Sequence, residues 1–364
     1  MDEARILFVT RKWAPAVGGM ETYSMRLAEA MQAIEPVEVV ALPGKPHGMP
    51  PGALALLAFP FRVIAALLRR RRMPEVLHLG DMAIWPLALL PRLFFADTRI
   101  ALSAHGTDVA YHRRGGVKGR AYGAYLRLGA RLLRGARVIA NSRATRDVLG
   151  ETGWTACAVV PLATDLSGPA TDGRHNGRIL FVGRLVARKG CGWFVREVLP
   201  LLPEAMELDV AGTGWDEAES EVLRHPRVNW LGALEGEALA RAYAEALCVI
   251  VPNIPIANGE YEGFGLVAPE AAACGGMVLA ADLDGLRDAV VHGETGVLIC
   301  AANSGAWSEK ILSIIQTPIA IRAARLAQSQ ATARTSFNWS TVAHNTHAAY
   351  GFETSHSTLS DRDR

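Results

Sequence analysis

Short apolar runs alternate with longer helical stretches along almost the whole chain, and then the pattern begins again. In the first half the runs are Arg5–Thr10, Val37–Leu42, Val76–Leu79, Arg99–Ser103 and Ala136–Asn141. In the second they are Arg178–Val182, Met206–Ala211, Val228–Leu231, Leu247–Val251, Met277–Ala281 and Val297–Ile299. Runs this short and this continuously apolar suit strands buried on both faces of a parallel sheet. Their alternation with helices predicts doubly wound α/β domains. Between the two series lies 164–177, polar and rich in Gly and Pro, which reads as a domain boundary. A chain of 364 residues is also too long for one ordinary core. We therefore expect two Rossmann-like domains, over 1–168 and 174–336, with the default active site in the cleft between them.

Charge is divided unevenly between the halves. Residues 1–168 carry 22 Lys+Arg against 13 Asp+Glu, a balance of +9, and the remainder carries 16 against 23, a balance of −7. The basic half predicts an anionic surface or substrate. Nucleic acid is set aside, because no aromatic–basic interleaving or recognition-helix pattern is present. The five cysteines are scattered with no Cys-x-x-Cys pair, which suggests neither a disulfide framework nor a zinc site and fits a reducing cytoplasm. The N-terminal residues lack the pattern of a signal peptide.

The run 51–68 is almost wholly apolar and ends in Arg69–Arg72, but Pro60 and Arg62 interrupt it. It approaches the length of a membrane span. A packed crossover helix is the plainer reading, and we expect one that also rests on anionic lipid through its basic end. A second basic stretch, Lys118 to Arg137, either adds to that surface or is a solvated face.

Strand ends in such a fold carry the chemistry. After the first run, Gly18 and Gly19 precede a helical pattern with Met20, Tyr23, Leu27, Met31 and Ile34 on one face. That is either a phosphate cradle or only a tight turn. His105 and Asp108 follow one strand, and Asn141 and Ser142 another. Arg184 and Lys189 flank a glycine turn, where two cations can meet a diphosphate. Ala211-Gly212-Thr-Gly214 lacks the third glycine of a dinucleotide fingerprint. Glu262 and Glu270 stand eight residues apart, separated by a glycine turn and the start of an alanine-rich helix. Such a turn and helix start can face an anion.

In this order the motifs resemble the family 4 glycosyltransferases, retaining enzymes of the GT-B fold that use nucleotide-sugars. The resemblance rests on Gly18-Gly19-Met-Glu-Thr, His105-Gly-Thr-Asp108, Asn141-Ser142-Arg143, Gly183-Arg184 with Lys189-Gly190, Ala211-Gly212-Thr-Gly214 and Glu262/Glu270. Phe337-Asn-Trp339 resembles the start of the family's C-terminal helix, here about 337–352, which crosses back to the first domain; a polar tail, 353–364, follows.

The resemblance implies that Arg184 and Lys189 bind the donor diphosphate, Glu270 the ribose hydroxyls and Glu262 the transferred sugar. Phe264, Gly265, Leu266 and Val267 would face sugar or phosphate through their backbone. Gly18, Gly19 and Gly212 would complete the donor site, His105 would lie beside the sugar, and Asp108 and Asn141 would sit on the acceptor side. It further implies no cofactor and no metal, the cations replacing Mg²⁺. The expected acceptor is a lipid-linked saccharide or glycolipid in polysaccharide, lipopolysaccharide or envelope assembly, with the protein cytoplasmic and peripheral on the membrane. Two departures stand out: the loop 252–261 is longer than the family's, and Gly275-Gly276-Met277 replaces Gly-x-Pro. Glu262 and Glu270 also suggest the acid and nucleophile of a glycoside hydrolase. A hydrolase, however, needs no cationic diphosphate site. A sugar-nucleotide epimerase and an inactive nucleotide-sugar-binding protein remain the alternatives.

Overall fold

The computed structural model describes residues 4–16, 18–45, 49–94, 97–214, 216–257 and 259–351. The first sheet contains β1 (Ile6–Trp13), β2 (Val37–Pro43), β3 (Val76–Leu79), β4 (Arg99–Ala104), β5 (Arg137–Ala140) and β6 (Cys157–Val159). The second contains β7 (Ile179–Val182), β8 (Leu208–Ala211), β9 (Val228–Gly232), β10 (Cys248–Val251), β11 (Val278–Ala281) and β12 (Val297–Ile299). Their spatial orders are β2-β1-β3-β4-β5-β6 and β12-β11-β10-β7-β8-β9. All the pairings within both are parallel. Every expected strand is present. Only β6 escaped the sequence reading, being a three-residue, half-buried edge strand whose apolar signal is too brief.

In each sheet the chain runs outwards, returns and proceeds the other way. The reversal falls between β1 and β3 in the first sheet and between β7 and β10 in the second. Ligands bind at such switch points, beyond the carboxyl ends of the strands, where adjacent loops diverge and leave a crevice. The turn with Gly18 and Gly19 follows β1; Arg184 and Lys189 follow β7; Glu262 follows β10.

Helix α1 (Gly19–Met31) buries Tyr23, Leu27 and Met31 against one face of the first sheet. Ile34, expected on the same stripe, falls beyond the end of the helix. The opposite face is covered by α2 (Ala53–Arg69), through Phe59, Val63 and Leu67, and by the helix Gly116–Leu132, through Leu126. Pro60 lies inside α2 without ending it. Among the described residues no helix is long and apolar enough to cross a membrane.

The C-terminal helix Trp339–Ala349 packs on α1, so the end of the chain returns to the first domain. A buried relay fixes it there: the Tyr350 hydroxyl lies 2.7 Å from His78 Nδ1, His78 Nε2 2.8 Å from Ser103 Oγ, and Ser103 Oγ 2.9 Å from the Tyr23 hydroxyl. Phe337, just before this helix, meets Phe264 of the second domain edge-on at 6.2 Å. One apolar core thus runs from the second sheet through this segment to the α1 face of the first. Position 352 and the tail 353–364 lie outside the described residues.

Candidate active site

The centre of the site is an ion cluster on Glu262. Its Oε2 receives Lys189 Nζ at 2.5 Å, Arg188 Nη1 at 2.8 Å and Asn253 Nδ2 at 3.0 Å. Lys189 and Arg188 come from the turn after β7, and Asn253 and Glu262 from the loop after β10, so the switch point itself brings them together. Burial alone would raise the Glu262 carboxyl. Attraction to Lys189 and Arg188, with the hydrogen bonds from Lys189 and Asn253, overrides it and lowers the pKa to about 2. Glu262 is therefore a fixed anion. Arg188 and Asn253 were not among the expected site residues, although Arg188 directly precedes Lys189 in the chain.

Glu270 has a different environment. It lies in the seven-residue helix Val267–Ala273, accepts a hydrogen bond from the Tyr243 hydroxyl at 3.2 Å, and has its pKa raised to about 7. Burial is the main cause, with Tyr243 and Lys189 opposing it. It lines a cavity between the domains with Gly19, Tyr23, Leu266 and Trp339. Gly19, at the opening of α1, meets nothing within 4 Å of where a Cβ would stand, so backbone is presented to that space. Glycine next to a ligand allows such close approach. Gly18 caps α1 and packs against the Glu21 carboxylate, which in turn pairs with Lys12 at 3.2 Å.

Two carboxylates with pKa values pushed this far apart superficially match an acid–nucleophile pair. Their surroundings differ from such a pair. Glu270 faces the cavity with Gly19 and Trp339, whereas Glu262 is absent from that lining and is neutralised by two cations.

The loop carrying His105 reaches across from the first domain. A Cβ on Gly263 would stand 2.4 Å from the His105 carbonyl oxygen, and one on Gly106 would stand 3.1 Å from Gly263 Cα. Backbone touches backbone here, which puts His105 beside the residue following Glu262. The His105 ring is held by Nε2 donating to the Gly80 carbonyl at 3.0 Å and by an edge-on contact with Tyr23 at 4.5 Å.

Asp108 and Asn141, expected on the acceptor side, are buried and support this loop. Asp108 accepts from the backbone N–H groups of His105, Gly106 and Met82. Asn141 donates to the His105 carbonyl and accepts from the Thr145 hydroxyl. Both side chains thus hold the backbone of the loop that carries His105.

Phe264 is likewise a core residue, leaving only its backbone for a ligand. Gly265, at φ 93°, makes the turn into the helix that also carries Leu266 and Val267 at its start. With only seven residues, that helix contributes a limited dipole, and the cationic side chains carry more of the local positive charge. Gly212 is occupied structurally: a Cβ there would stand 2.0 Å from the Gly183 carbonyl, where the turns after β7 and β8 meet. Arg184 lines a second interdomain cavity, together with Arg114, Arg188 and Tyr261. Among the described residues no group of three or more His, Cys, Asp or Glu side chains stands together as a metal would need.

Two parallel α/β domains, facing across a cleft with cations and carboxylates at the second domain's switch point, have the architecture of the GT-B glycosyltransferases. Comparison with known proteins gives the family. Residues 17–167 match the model described as Glycosyltransferase Family 4, and residues 176–317 match that of Glycosyl transferases group 1. The chain belongs to the group 1 glycosyltransferases. It is 28% identical to a glycogen synthase of Mycobacterium tuberculosis over 358 residues, covering 88% of this chain and 81% of that one. It is 36% identical over 174 residues to a D-inositol 3-phosphate glycosyltransferase of Xylanimonas cellulosilytica, covering 45% of this chain and 40% of that one. In fold it is similar to HepE of Anabaena, solved with UDP, at a TM-score of 0.69, 20% identity and coverage of 95% and 99%. A sucrose-phosphate synthase of Thermosynechococcus elongatus gives a TM-score of 0.70 at 21% identity, with coverage of 95% and 98%.

Proposed function

We propose that this protein is a retaining glycosyltransferase of the family 4 type that moves a hexosyl unit from a UDP- or GDP-linked sugar to a lipid-linked saccharide or glycolipid acceptor in envelope glycan or polysaccharide assembly. The observation that carries the donor half is the placement of Gly19 and Glu270 on opposite walls of one cavity, with Lys189 and Glu262 at the adjoining switch point. Glu270 takes the ribose hydroxyls and the Gly19 backbone approaches the phosphates. Lys189 and Arg184 neutralise the charge that grows on the departing diphosphate, which is where a preorganised cation lowers the barrier most. Donor phosphate competes with Glu262 for Lys189, releasing the carboxylate towards the sugar hydroxyls. His105 stands beside the sugar, and the leaving phosphate accepts the acceptor's proton on the same face, so no enzymic base is assigned. These cations do the work that a divalent metal does in other transferases.

The acceptor half of the reading is supported by the surface of the first domain. On α2, Leu54, Leu57, Phe61 and Leu68 are 84, 71, 72 and 78% exposed, and Val117 at the start of the helix Gly116–Leu132 is 82% exposed. Both helices cover the same face of the first sheet, and Arg62, Arg69, Arg71 and Arg72 lie exposed along or just after α2. Arg70 does not belong to that surface: it is buried, bonded to Glu38 and to the Ala4 carbonyl. Exposed leucines beside arginines suit the headgroup boundary of an anionic bilayer on the cytoplasmic side.

A panel of UDP-, GDP- and ADP-sugars supplied with a lipid extract tests the reaction. Labelled product with retained configuration is expected for one donor, and Lys189→Ala lowers turnover about 10²–10³-fold. Conversion of donor with no acceptor present would point to an epimerase, and binding without turnover to an inactive protein. Flotation with anionic vesicles tests the surface: Leu57→Asp with Phe61→Asp abolishes vesicle binding while leaving donor affinity unchanged. Equal flotation of both proteins would remove the membrane from the proposal.

A further inference from the structure

A second cavity, of about 200 Å³, also has walls from both domains. Arg184 and Arg188 enter it from the turn after β7, Glu260 and Tyr261 from the long loop after β10, and Tyr111 and Arg114 from the first domain. Arg188 is already paired with Glu262 and Arg184 faces the donor diphosphate in the proposed reaction, so Arg114 brings the further cation, and the carboxylate in this lining is Glu260. That carboxylate bridges the domains: Glu260 accepts from Arg114 at 2.9 Å and stands 3.8 Å from Arg188. Arg188 is only 12% exposed. Arg114 and Arg188 thus both turn towards Glu260 in a partly desolvated cleft, and an oxyanion of the right size can take that carboxylate's place between them.

Position decides which anion. Gly106 also lines this cavity, and it is the residue in backbone contact with Gly263, one step from Glu262. The cavity thus adjoins the place where the sugar is transferred. Its lining includes Tyr111 and Arg114 of the first domain and shares no residue with the Gly19, Glu270 and Trp339 cavity assigned to the nucleotide. Tyr111 and Tyr261 give it aromatic walls, each already met by an arginine: Arg114 lies 5.3 Å over the Tyr111 ring and Arg113 5.8 Å over that of Tyr261. Tyrosine faces and forked guanidinium groups together fit a sugar ring bearing an oxyanion.

We propose that this cavity is an acceptor subsite for an anionic saccharide, holding a carboxylate or phosphate carried by the acceptor between Arg114 and Arg188. In the ligand-free protein Glu260 occupies the position of that oxyanion, and the longer loop after β10 delivers it there. The inference rests on the glycosyltransferase reading and specifies the substrate class of that reaction.

Calorimetry on the full chain saturated with UDP tests it, with glucose 6-phosphate, methyl glucuronide, neutral methyl glucoside and inorganic phosphate as probes. The two acidic sugars bind about tenfold or more tightly than the neutral one, as charge-assisted hydrogen bonds predict. Arg114→Gln erases the difference and leaves UDP affinity unchanged; Glu260→Gln enlarges it by removing the internal competitor. Equal binding of acidic and neutral sugars to a protein that still binds UDP overturns the subsite alone. So does an Arg114→Gln protein that keeps the acidic preference, or inorganic phosphate that binds only when UDP is absent. Loss of UDP binding in the parent chain would instead overturn the donor reading beneath it.

Discussion

In the proposed donor site, Glu270 links protonation to donor capture. Burial holds its pKa near 7 against an ordinary 4.5, so in the empty cleft the carboxyl is largely protonated at pH 6 and largely ionised at pH 8. An ionised carboxylate accepts two hydroxyl protons from one ribose, whereas the neutral acid must keep one oxygen for its own proton. Donor affinity is therefore expected to rise from pH 6 to pH 8, with proton release on binding, and Glu270→Gln should bind weakly with a flat profile. Calorimetry in buffers of different ionisation enthalpy measures both. For folding the sign is the reverse. The folded state keeps a proton that the unfolded chain releases between pH 4.5 and about 7, so this residue costs stability as pH rises through that window. Glu262 behaves oppositely. Held at about 2 by Lys189 and Arg188 despite its burial, it contributes stability above its unfolded value of 4.5 and loses that contribution as pH falls from there towards 2. The sequence offered both as glutamates eight apart; only their neighbours distinguish a clamped anion from a titrating one.

Among the elements, the C-terminal helix depends on the most specific buried contact. Burial, with a smaller effect from His105, lowers the His78 pKa to about 3, so the ring is neutral and acts through hydrogen bonds to Tyr350 and Ser103. Tyr350→Phe leaves His78 Nδ1 buried without that partner, at a cost of about 1–3 kcal/mol. Denaturant unfolding should show that loss, and an unchanged midpoint would mean the relay does not secure the helix. The motif at Phe337 to Trp339 and the return to the first domain were legible beforehand through the family resemblance. The partner of Tyr350 was not, because His78 lies 272 positions away. Apolar periodicity found the interior strands well, since such strands are hydrophobic on both faces. It failed at β6, and it could not tell that Arg70 turns inward while the adjacent arginines remain exposed.

At the scale of the molecule, the site exists because two domains meet without side chains between them at Gly106 and Gly263. Gly263→Ala would place a methyl group 2.4 Å from the His105 carbonyl and 3.4 Å from Gly106 Cα, with backbone on both sides that cannot rotate away. The domains must separate, and displacement of about 1 Å at a reacting centre costs on the order of a hundredfold in rate. We expect that loss in kcat/KM, with a larger radius of gyration by small-angle scattering and intact folding. The same apposition is supported at its rim by Arg143 with Asp288 at 2.7 Å and by the Tyr261 hydroxyl 3.0 Å from Thr145 Oγ1. Arg143 is 60% exposed, so its ion pair contributes little by itself. The loop bearing Tyr261, which the sequence marked only as longer than expected, is what joins the two halves on this side.

Local sequence determined the repeated strand–helix order, because burial on both faces of a parallel sheet demands short continuous apolar runs. Its glycines and charges at strand ends also marked the loops that follow β1, β7 and β10. Tertiary structure decided what those residues do to one another. Strand order set the switch points, close backbone contact set the cleft, and the desolvation and pairing that separate Glu262 from Glu270 arise from groups remote in sequence. The physical reason is range: strand and helix patterning acts over a few residues, whereas electrostatic environment is fixed only when distant segments share one dry cleft.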